Sequence, residues 1–394
     1  MMLGFLLARM AVDVVVLEKH ADFLRDFRGD TIHPSTLELM YEAGLLPEFL
    51  QRPHQELRQL TAVVGGEPVT PVDFSHLPTH CKFVAIMPQW DFLNFLAEHG
   101  KRYPTFQLCM NAEFTGLLEE NGRVTGIRAT TQQGPVEMRA NLIVGADGRN
   151  SKVREAAGLK SVDFGAPMDV LWMRLTQHRD DPHQALGYFD RGRILVTIDR
   201  GDYWQCAFVI PKGTVEQIRA QGIEAFRNEI AQLAPFLGDR LREQSSWDDV
   251  KLLTVTVDRL EEWSRPGLLC IGDAAHAMSP IGGVGINVAI QDAVAAANIL
   301  ASPLFNGTVN TGHLREVQRR RTLPVRAMQS IQLFIQNRVI RTVLTSGTRP
   351  SPPLVLRLLQ RFPYLRRFPA RLLGVGIRPE HIQTPERLSG APAA

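Results

Sequence analysis

The sequence predicts an α/β protein with a doubly wound parallel sheet, into which a second, antiparallel sheet is inserted. Three apolar runs, 12–17, 141–146 and 267–271, are rich in β-branched or aliphatic residues. Such runs are typical of strands buried on both faces of a parallel sheet. Each run ends in an acid-containing turn, and doubly wound sheets bind their ligands at the carboxyl ends of such strands. Short strand patterns separated by turn sequences fill the region between the second and third runs.

Length and composition agree with this class. The chain has 394 residues, of which 44% are hydrophobic and 22% charged, the balance of a soluble globular protein with two or three domains. A net charge of +3 is too small to indicate nucleic-acid binding. No uninterrupted apolar run reaches the roughly 18 residues of a membrane span. Four scattered cysteines lack the spacing of a zinc site or a disulfide framework, so we expect no metal and a cytoplasmic location.

The elements follow in order along the chain. Residues 2–10 are apolar almost all round and predict a helix that is covered on most sides. Strand patterns at 168–176, 185–190, 193–199 and 203–210, with a similar texture at 57–80, predict the antiparallel sheet. From about residue 288 the pattern is helical. We therefore predict a discontinuous nucleotide-binding domain at 1–56, 81–165 and 250–300. An inserted substrate-binding sheet domain is predicted at 57–80 and 166–249, and a helical C-terminal region at 301–394.

The first strand ends in Glu18 and Lys19. In a dinucleotide-binding βαβ unit, an acid at the end of the second strand hydrogen-bonds the ribose hydroxyls, and a glycine-rich loop lies about 20 residues before it. The position about 20 residues before Glu18, where the glycine-rich loop is expected, lies before the first residue of the sequence. Either the unit is not a dinucleotide-binding one, or the sequence begins inside the first helix and lacks the first strand with its GxGxxG turn.

Two motifs follow the second and third predicted strands. Residues 145–154 read GADGRNSKVR, and residues 272–287 read GDAAHAMSPIGGVGIN. In these motifs, in this order and separated by an inserted sheet, the sequence resembles the group A flavoprotein monooxygenases, the aromatic-hydroxylase family typified by para-hydroxybenzoate hydroxylase. The DG motif of that family is matched at Asp147, Gly148, Ser151 and Arg154. Its GD motif is matched at Gly272, Asp273, Ala274, His276, Pro280, Gly283, Gly285 and Asn287.

The resemblance implies an FAD cofactor with NAD(P)H and O2 as co-substrates. In that family, hydride reduces the flavin, oxygen adds to flavin C4a, and the hydroperoxide hydroxylates an aromatic, usually phenolic, small molecule. No catalytic residue beyond the flavin is then required. We expect Asp273 to accept hydrogen bonds from ribityl hydroxyls, and the helix starting near Gly285 to stabilise the anionic reduced ring. We expect His276, at a strand–helix turn, to be structural. The predicted cofactor-binding residues are Glu18, Lys19, Arg28, Gln89, Asp147, Arg154, Asp273, Pro280, Gly283, Gly285, Ile286 and Asn287.

The inserted sheet offers candidates for the substrate pocket, namely Trp172, Arg174, Tyr188 and Trp204. Alternation along a strand means that only some of them face the cofactor. The alternatives to an aromatic hydroxylase are a flavin-dependent halogenase, a quinone-type hydroxylase of the same fold, and a flavoprotein that binds without turnover.

The C-terminal region is strongly basic. Residues 315–373 contain thirteen Arg, no Lys and one acid, Glu316. The interpretation that we favour from the sequence is arginine packing back onto an acidic body. A membrane contact or a homodimer contact is the alternative.

Overall fold

The computed structural model describes residues 1–24, 31–182 and 186–387. The predicted site residue Arg28 lies outside the described residues. Within them the helices are α1 (Met2–Arg9), α2 (Pro34–Glu42), α3 (Leu46–Phe49), α4 (Gln89–Gly100), α5 (Lys152–Ala156), α6 (Val215–Ala220), α7 (Ile223–Leu233), α8 (Gly285–Phe305), α9 (Thr311–Ile335), α10 (Arg341–Thr345), α11 (Leu354–Arg361) and α12 (Arg367–Gly374). A π-helical segment, Gln336–Ile340, joins α9 to α10.

The strands of the same residues are β1 (Val14–Leu17), β2 (Thr31–Ile32), β3 (Gln55–Leu57), β4 (Gln59–Val64), β5 (Glu67–Asp73), β6 (Val84–Ile86), β7 (Phe106–Cys109), β8 (Glu113–Glu120), β9 (Arg123–Thr131), β10 (Gly134–Arg139), β11 (Ile143–Gly145), β12 (Ser161–Asp163), β13 (Met168–Thr176), β14 (Leu186–Asp190), β15 (Arg193–Asp199), β16 (Tyr203–Pro211), β17 (Lys251–Leu253), β18 (Asp258–Leu260), β19 (Ser264–Arg265) and β20 (Leu268–Cys270). The predicted α/β class, with an inserted sheet and a helical C-terminal region, is confirmed.

The three predicted parallel strands are present, but they form two separate groups. β1 pairs in parallel with β7, and β11 pairs in parallel with β20, whose other edge pairs with β19. No ladder joins the two groups within the described ranges. Burial on both faces holds for β20 and is wrong for β1, where Val15 is 49% exposed. The physical reason is that α1 covers only one face of β1: Val14 and Val16 lie beside Gly4 of α1, and Val15 points to the opposite face.

The inserted sheet has seven strands in the order β17-β13-β16-β15-β14-β4-β5. Its four central strand predictions, between 168 and 210, are confirmed within a residue at each end. One pair, β14 with β4, is parallel rather than antiparallel as expected. β4 comes from a distant segment, so no hairpin turn dictates its direction. The sheet draws on both predicted segments and on β17; the division into domains stays a prediction.

The two faces of this sheet cover different cores. One face packs against α7, with Phe226 and Ile230 among the contacting residues. The other face packs against the π-helical segment, α10 and Ile281, which lies just before α8. The face that carries the second core is therefore the one turned toward the start of α8.

Helix α8 is the central helix of the largest core. Together with its preceding turn, Ile281–Phe305 is long and apolar enough to cross a membrane, but 67% of its apolar window is buried inside the protein. The stretch is not an uninterrupted apolar run in the sequence, because Asn287, Gln291 and Asp292 interrupt it without making it polar on average. Since α1 and α9 pack against α8, its composition is that of a core helix.

Candidate active site

The turns that follow β11 and β20 lie side by side. The two strands are parallel neighbours with Gly145 opposite Cys270, so their carboxyl ends meet at one edge. Across that edge, Arg149 Nη2 lies 3.7 Å from Asp273 Oδ2. Arg154 Nη1 donates to the carbonyl of Ala274 at 3.5 Å. The two motifs, more than a hundred residues apart in the sequence, are thus brought together.

Asp147 holds the start of α5. Its carboxylate accepts hydrogen bonds from Ser151 Oγ and from the Val153 N–H, the latter at 3.1 Å. Ser151 Oγ in turn accepts from the Arg154 N–H at 2.9 Å. This is an N-terminal cap, in which a side-chain oxygen satisfies a helix N–H that has no partner within the helix. Asp147 is itself exposed, so its remaining acceptor capacity faces the solvent side of the turn.

Arg154, the last matched residue of the DG motif, pairs with Asp258 and not with Asp147. Its guanidinium donates to Asp258 Oδ2 at 3.2 Å and to the carbonyl of Arg149 at 2.7 Å. Asp258 also accepts from the Ala277 N–H at 2.9 Å. The pair therefore ties the DG motif to the GD motif. Asp258 was missed because it lies in neither motif.

The segment before α8 requires glycine for two reasons. Gly282 and Gly283 have φ values of 76° and 61°, in the left-handed region that favours glycine. A Cβ on Gly283 would lie 2.3 Å from Thr31 Oγ1, which donates to the Gly283 carbonyl at 2.8 Å. The backbone at Gly283 thus approaches β2 closely within the protein.

The start of α8 has no side-chain cap among the residues that the structure describes. Its preceding residue, Val284, makes no side-chain cap to the first turn. The first N–H groups of a helix have no partner within it, and the helix dipole favours negative charge there. Gly285 and Ile286 begin this turn, so no large polar side chain stands at the helix start.

Asn287 connects α8 to β2 and α2. Its Nδ2 donates to the carbonyl of Thr31 at 2.9 Å, while its Oδ1 accepts from the His33 N–H at 2.9 Å and from Thr36 Oγ1 at 2.8 Å. These bonds occupy the side-chain amide. Asn287 was predicted to bind the cofactor, and only its backbone remains suited to that.

Glu18 and Lys19 follow β1 near the start of α5. Glu18 Oε1 accepts from the His20 N–H at 3.0 Å. Lys152, the first residue of α5, donates to Glu113 at 2.6 Å, and this bond lowers the pKa of the Glu113 carboxyl; Lys19 lies close enough to lower it further. The end of β1 and the DG motif therefore share one edge of the molecule.

Two other predicted residues flank the glycine segment. Pro280 precedes it, and its carbonyl accepts from the Gly283 N–H at 3.0 Å. Gln89 begins α4, three residues after Ile86 of β6, which pairs with Thr31. Because Thr31 contacts Gly283, β6 lies one strand away from the glycine segment. Gln89 begins the helix that follows β6.

The structure divides the four pocket candidates between the two faces of the sheet. Trp172 lies on the face that packs with Ile281, and Arg174, two residues on, is exposed with its Cζ 3.9 Å from the Tyr203 ring centroid. Tyr188 and Trp204 lie on the opposite face in the core against α7. Strand alternation therefore directs Tyr188 and Trp204 away from the face that packs with Ile281 and the segment before α8.

His276 is held in a buried polar cluster, as expected of a structural residue. Its Nε2 donates to Asp292 Oδ2 at 2.5 Å, and Arg321 Nε donates to Asp292 Oδ1 at 2.8 Å. The Gly272 N–H donates to the same carboxylate at 3.1 Å. Burial raises the pKa of Asp292, but His276 and Arg321 outweigh it and lower the pKa below its usual value. Asp292 thereby anchors the turn after β20.

A row of three glutamines was missed by the sequence analysis. Gln329 Nε2 donates to the carbonyl of Ala277 at 3.1 Å, and Gln332 Nε2 donates to the carbonyls of Ser279 and Ile281 at 2.9 Å each. Gln336 Nε2 donates to Ser279 Oγ at 2.8 Å. All three side chains are buried. Their spacing of three and four residues places them on one helix face, a signal that was available in the sequence.

The arrangement fits FAD. Asp273 is 31% exposed at a strand end, where a carboxylate can accept hydroxyl hydrogen bonds. The uncapped start of α8 supplies N–H donors and a positive dipole end for an anionic ring. FAD carries both a polyhydroxyl chain and a ring that becomes anionic on reduction, so the donors and acceptors present suit both parts.

Comparison with known proteins agrees. The family described as "FAD binding domain" matches residues 1–330. The chain is 29% identical over 359 residues to the 6-methylpretetramide 4-monooxygenase of Streptomyces rimosus, covering 90% of this chain and 85% of the relative.

Solved structures share the fold. PqsL of Pseudomonas aeruginosa, in complex with 2-aminobenzoylacetate, superposes with a TM-score of 0.73 at 21% identity, covering 87% of this chain and 94% of that one. The myxobacterial chondrochloren halogenase CndH, an FAD-dependent enzyme, superposes with a TM-score of 0.74 at 19% identity, covering 94% and 88%. With the family match over most of its length, the chain belongs to the FAD-binding family of group A flavoprotein monooxygenases.

Proposed function

We propose that this protein is an FAD-dependent monooxygenase that uses NAD(P)H and O2 to hydroxylate an aromatic, phenolic small molecule in the cytoplasm. One observation carries the proposal: the turn bearing Asp273 and the uncapped start of α8 lie on one continuous segment, clamped from behind by the glutamines of α9. This segment carries both a carboxylate acceptor and the N–H donors of a helix start, and a flavin requires both.

The residues have distinct roles in this proposal. Asp273 binds the ribityl hydroxyls, and Asp147 and Glu18 bind the polar parts of the nucleotide at the neighbouring strand ends. The backbone from Gly283 to Asn287, with Pro280 before it, supports the ring. Lys19, Gln89 and Arg154 complete the cofactor-binding set that the resemblance implies, together with Arg28.

FAD, when bound, supplies the electron transfer from NAD(P)H and the activation of oxygen. The protein orients it, stabilises negative charge on the ring through α8, and excludes water from the reacting groups. Trp172 and Ile281 form an apolar wall on the sheet side, which suits a flat aromatic substrate. Arg174, exposed on the same face, is placed to attract an anionic or phenolic group.

The substrate class is supported by the relatives. The relative from Streptomyces rimosus is named for 6-methylpretetramide, and the structure of PqsL contains 2-aminobenzoylacetate, so both are named with small organic molecules. The halogenase CndH has the same fold, so the fold alone does not separate hydroxylation from halogenation. The product does separate them when chloride is the only halide supplied. A hydroxylase adds oxygen and no halogen to the phenol, whereas a halogenase would add chlorine.

The test compares FAD binding by the parent with that of Asp273→Ala. Loss of a charged hydrogen bond weakens binding by about tenfold or more, so we expect the variant to lose the visible flavin absorbance on purification. Asp239→Ala is the matched control, because the Asp239 side chain is 92% exposed and lies in another part of the protein. Full flavin retention by Asp273→Ala contradicts the site.

Turnover is measured separately on the parent. We expect NAD(P)H oxidation to accelerate with at least one member of a phenol panel and to yield a product heavier by one oxygen. Bound flavin with no product from any aromatic compound would contradict the proposed activity while leaving the cofactor site in place.

A further inference from the structure

The outer surface of α11, α12 and the turn between them carries six exposed apolar side chains, which we call the apolar strip: Leu354, Val355, Leu358, Phe362, Tyr364 and Phe368. Leu354 and Val355 are 74% and 65% exposed. The strip is continuous, because Leu358 lies one helical turn before Phe362, whose ring centroid is 6.4 Å from that of Tyr364. Large apolar side chains exposed in a continuous group mark an interaction surface.

The opposite side of the same helices is attached to the protein. Gln360 Nε2 donates to the carbonyl of Pro68 on β5 at 2.6 Å. Ala370 is fully buried in a small core, and Leu373 packs against that core. These contacts fix which face of each helix is outward, so the apolar strip is a built feature of the folded chain.

Four exposed arginines border the strip: Arg357, Arg361, Arg367 and Arg371. Arg367 Cζ lies 5.8 Å from the Tyr364 ring centroid and 5.3 Å from that of Phe368. None of the four forms an ion pair with a carboxylate in the described part of the chain. The sequence contains no Asp or Glu from 317 to 379. For these arginines, packing onto an acidic body, which the sequence favoured, is wrong.

We propose that this surface docks on an anionic lipid membrane. Apolar side chains at the level of the headgroups, bordered by arginines that attract lipid phosphates, are the pattern of interfacial helices. A second copy of the chain would bring two sets of uncompensated arginines together. A nucleic acid would satisfy the arginines but leave the apolar side chains in water. The lipid surface is the partner that satisfies both.

Docking would bring the candidate active site close to the membrane. Leu373, at the end of α12, reaches Gly282: a Cβ built there would lie 2.7 Å from Leu373 Cδ1. The Leu373 carbonyl accepts from His33 Nδ1 at 2.8 Å, on the segment that Asn287 binds. An apolar substrate dissolved in the bilayer would thus be near the segment before α8.

The test measures sedimentation of the full-length protein with vesicles and does not depend on the proposed chemistry. One set contains equal parts of phosphatidylcholine and phosphatidylglycerol, and the other contains phosphatidylcholine alone. We expect binding to the anionic vesicles that weakens at high salt, and much weaker binding to the neutral ones. The double variant Arg357→Gln/Arg361→Gln should lower the partition coefficient roughly 25-fold, since each arginine contributes roughly fivefold at an anionic surface.

The apolar part is tested with Phe362→Ser/Phe368→Ser, which should reduce the binding that persists at high salt. Controls are Arg242→Gln and Val162→Ser, an exposed arginine and an exposed apolar residue elsewhere in the protein, which should bind like the parent. All of the changed side chains are exposed, and unchanged thermal unfolding verifies folding. No binding to anionic vesicles overturns the proposal, as does full binding by the double arginine variant. Dimerisation that depends on Phe362 without vesicle binding also overturns it.

Discussion

The buried carboxylate of Asp292 offers a sharp test of how the turn after β20 is held. Its side chain is completely buried and accepts from three donors: His276 Nε2 at 2.5 Å, Arg321 Nε at 2.8 Å and the Gly272 N–H at 3.1 Å. Asp292→Asn keeps the shape of the side chain but replaces one of its two acceptor oxygens with an NH2 group. That NH2 group then faces hydrogen-bond donors instead of being able to accept from them. Among the described residues, the carboxylate then left beside Arg321 is that of Glu380, whose Oε1 is 3.6 Å from Nη1.

The expected cost follows from these contacts. Hydrogen bonds to charged groups contribute roughly 1.5–3 kcal/mol each, and breaking a buried ion pair by removing one partner costs about 3–5 kcal/mol. We therefore expect Asp292→Asn to lower the free energy of unfolding by about 3–5 kcal/mol, a large part of the roughly 5–15 kcal/mol typical of folded domains.

The assay is urea denaturation of the parent and variant at neutral pH, comparing midpoints at equal slope. Asp239→Asn, which removes an exposed ion pair with Arg242 at 3.7 Å, should change stability by less than about 0.5 kcal/mol. Adding Arg321→Met to Asp292→Asn should recover part of the loss, because the unpaired buried charge is removed. A loss below about 1 kcal/mol in Asp292→Asn, with an unchanged slope, would refute the reasoning.

Two further changes test other parts of the structure. Gly283→Ala should weaken both FAD binding and stability, because the added Cβ would meet Thr31. Gly307→Ala is the control, since Gly307 has a φ of 67° and an added Cβ would have no atom within 4 Å, so that its thermal unfolding measures the backbone cost alone. Equal losses of stability in the two variants would contradict the contact with Thr31. Burial raises the pKa of Asp181, but hydrogen bonds, first among them from Arg240, lower it from 3.8 to about 2. Asp181→Asn should therefore cost about 2 kcal/mol at neutral pH, and the difference from the parent should vanish in acid unfolding curves as the pH falls through about 4 toward 2; a difference that persists below pH 2 would exclude this cause.

The fold class and the chemistry were accessible from the sequence because both rest on local patterns. The run ending at Ile271 and the following GDAAHAMSPIGGVGIN predict a buried strand, a turn and a helix start without reference to any distant residue. The four strands between 168 and 210 were equally local, since alternation and turn residues lie within each hairpin.

What the sequence alone determined is thus the principal buried strands, the central strands of the inserted sheet and the type of ligand that the strand ends can hold; the separate sheet of β8, β9 and β10 was not predicted. Which residues meet was decided by the tertiary structure. Strand alternation predicts that the sheet has two faces but does not say which face lies next to α8. Trp172 and Trp204 were therefore equally good pocket candidates from the sequence, and the packing places them in opposite cores. Arg154 binds Asp258, and Gln329 and Gln332 of α9 bind the backbone before α8. Both contacts join segments that are distant in sequence. The outward arginines of α11 and α12 were decided in the same way, because exposure depends on what the rest of the chain covers.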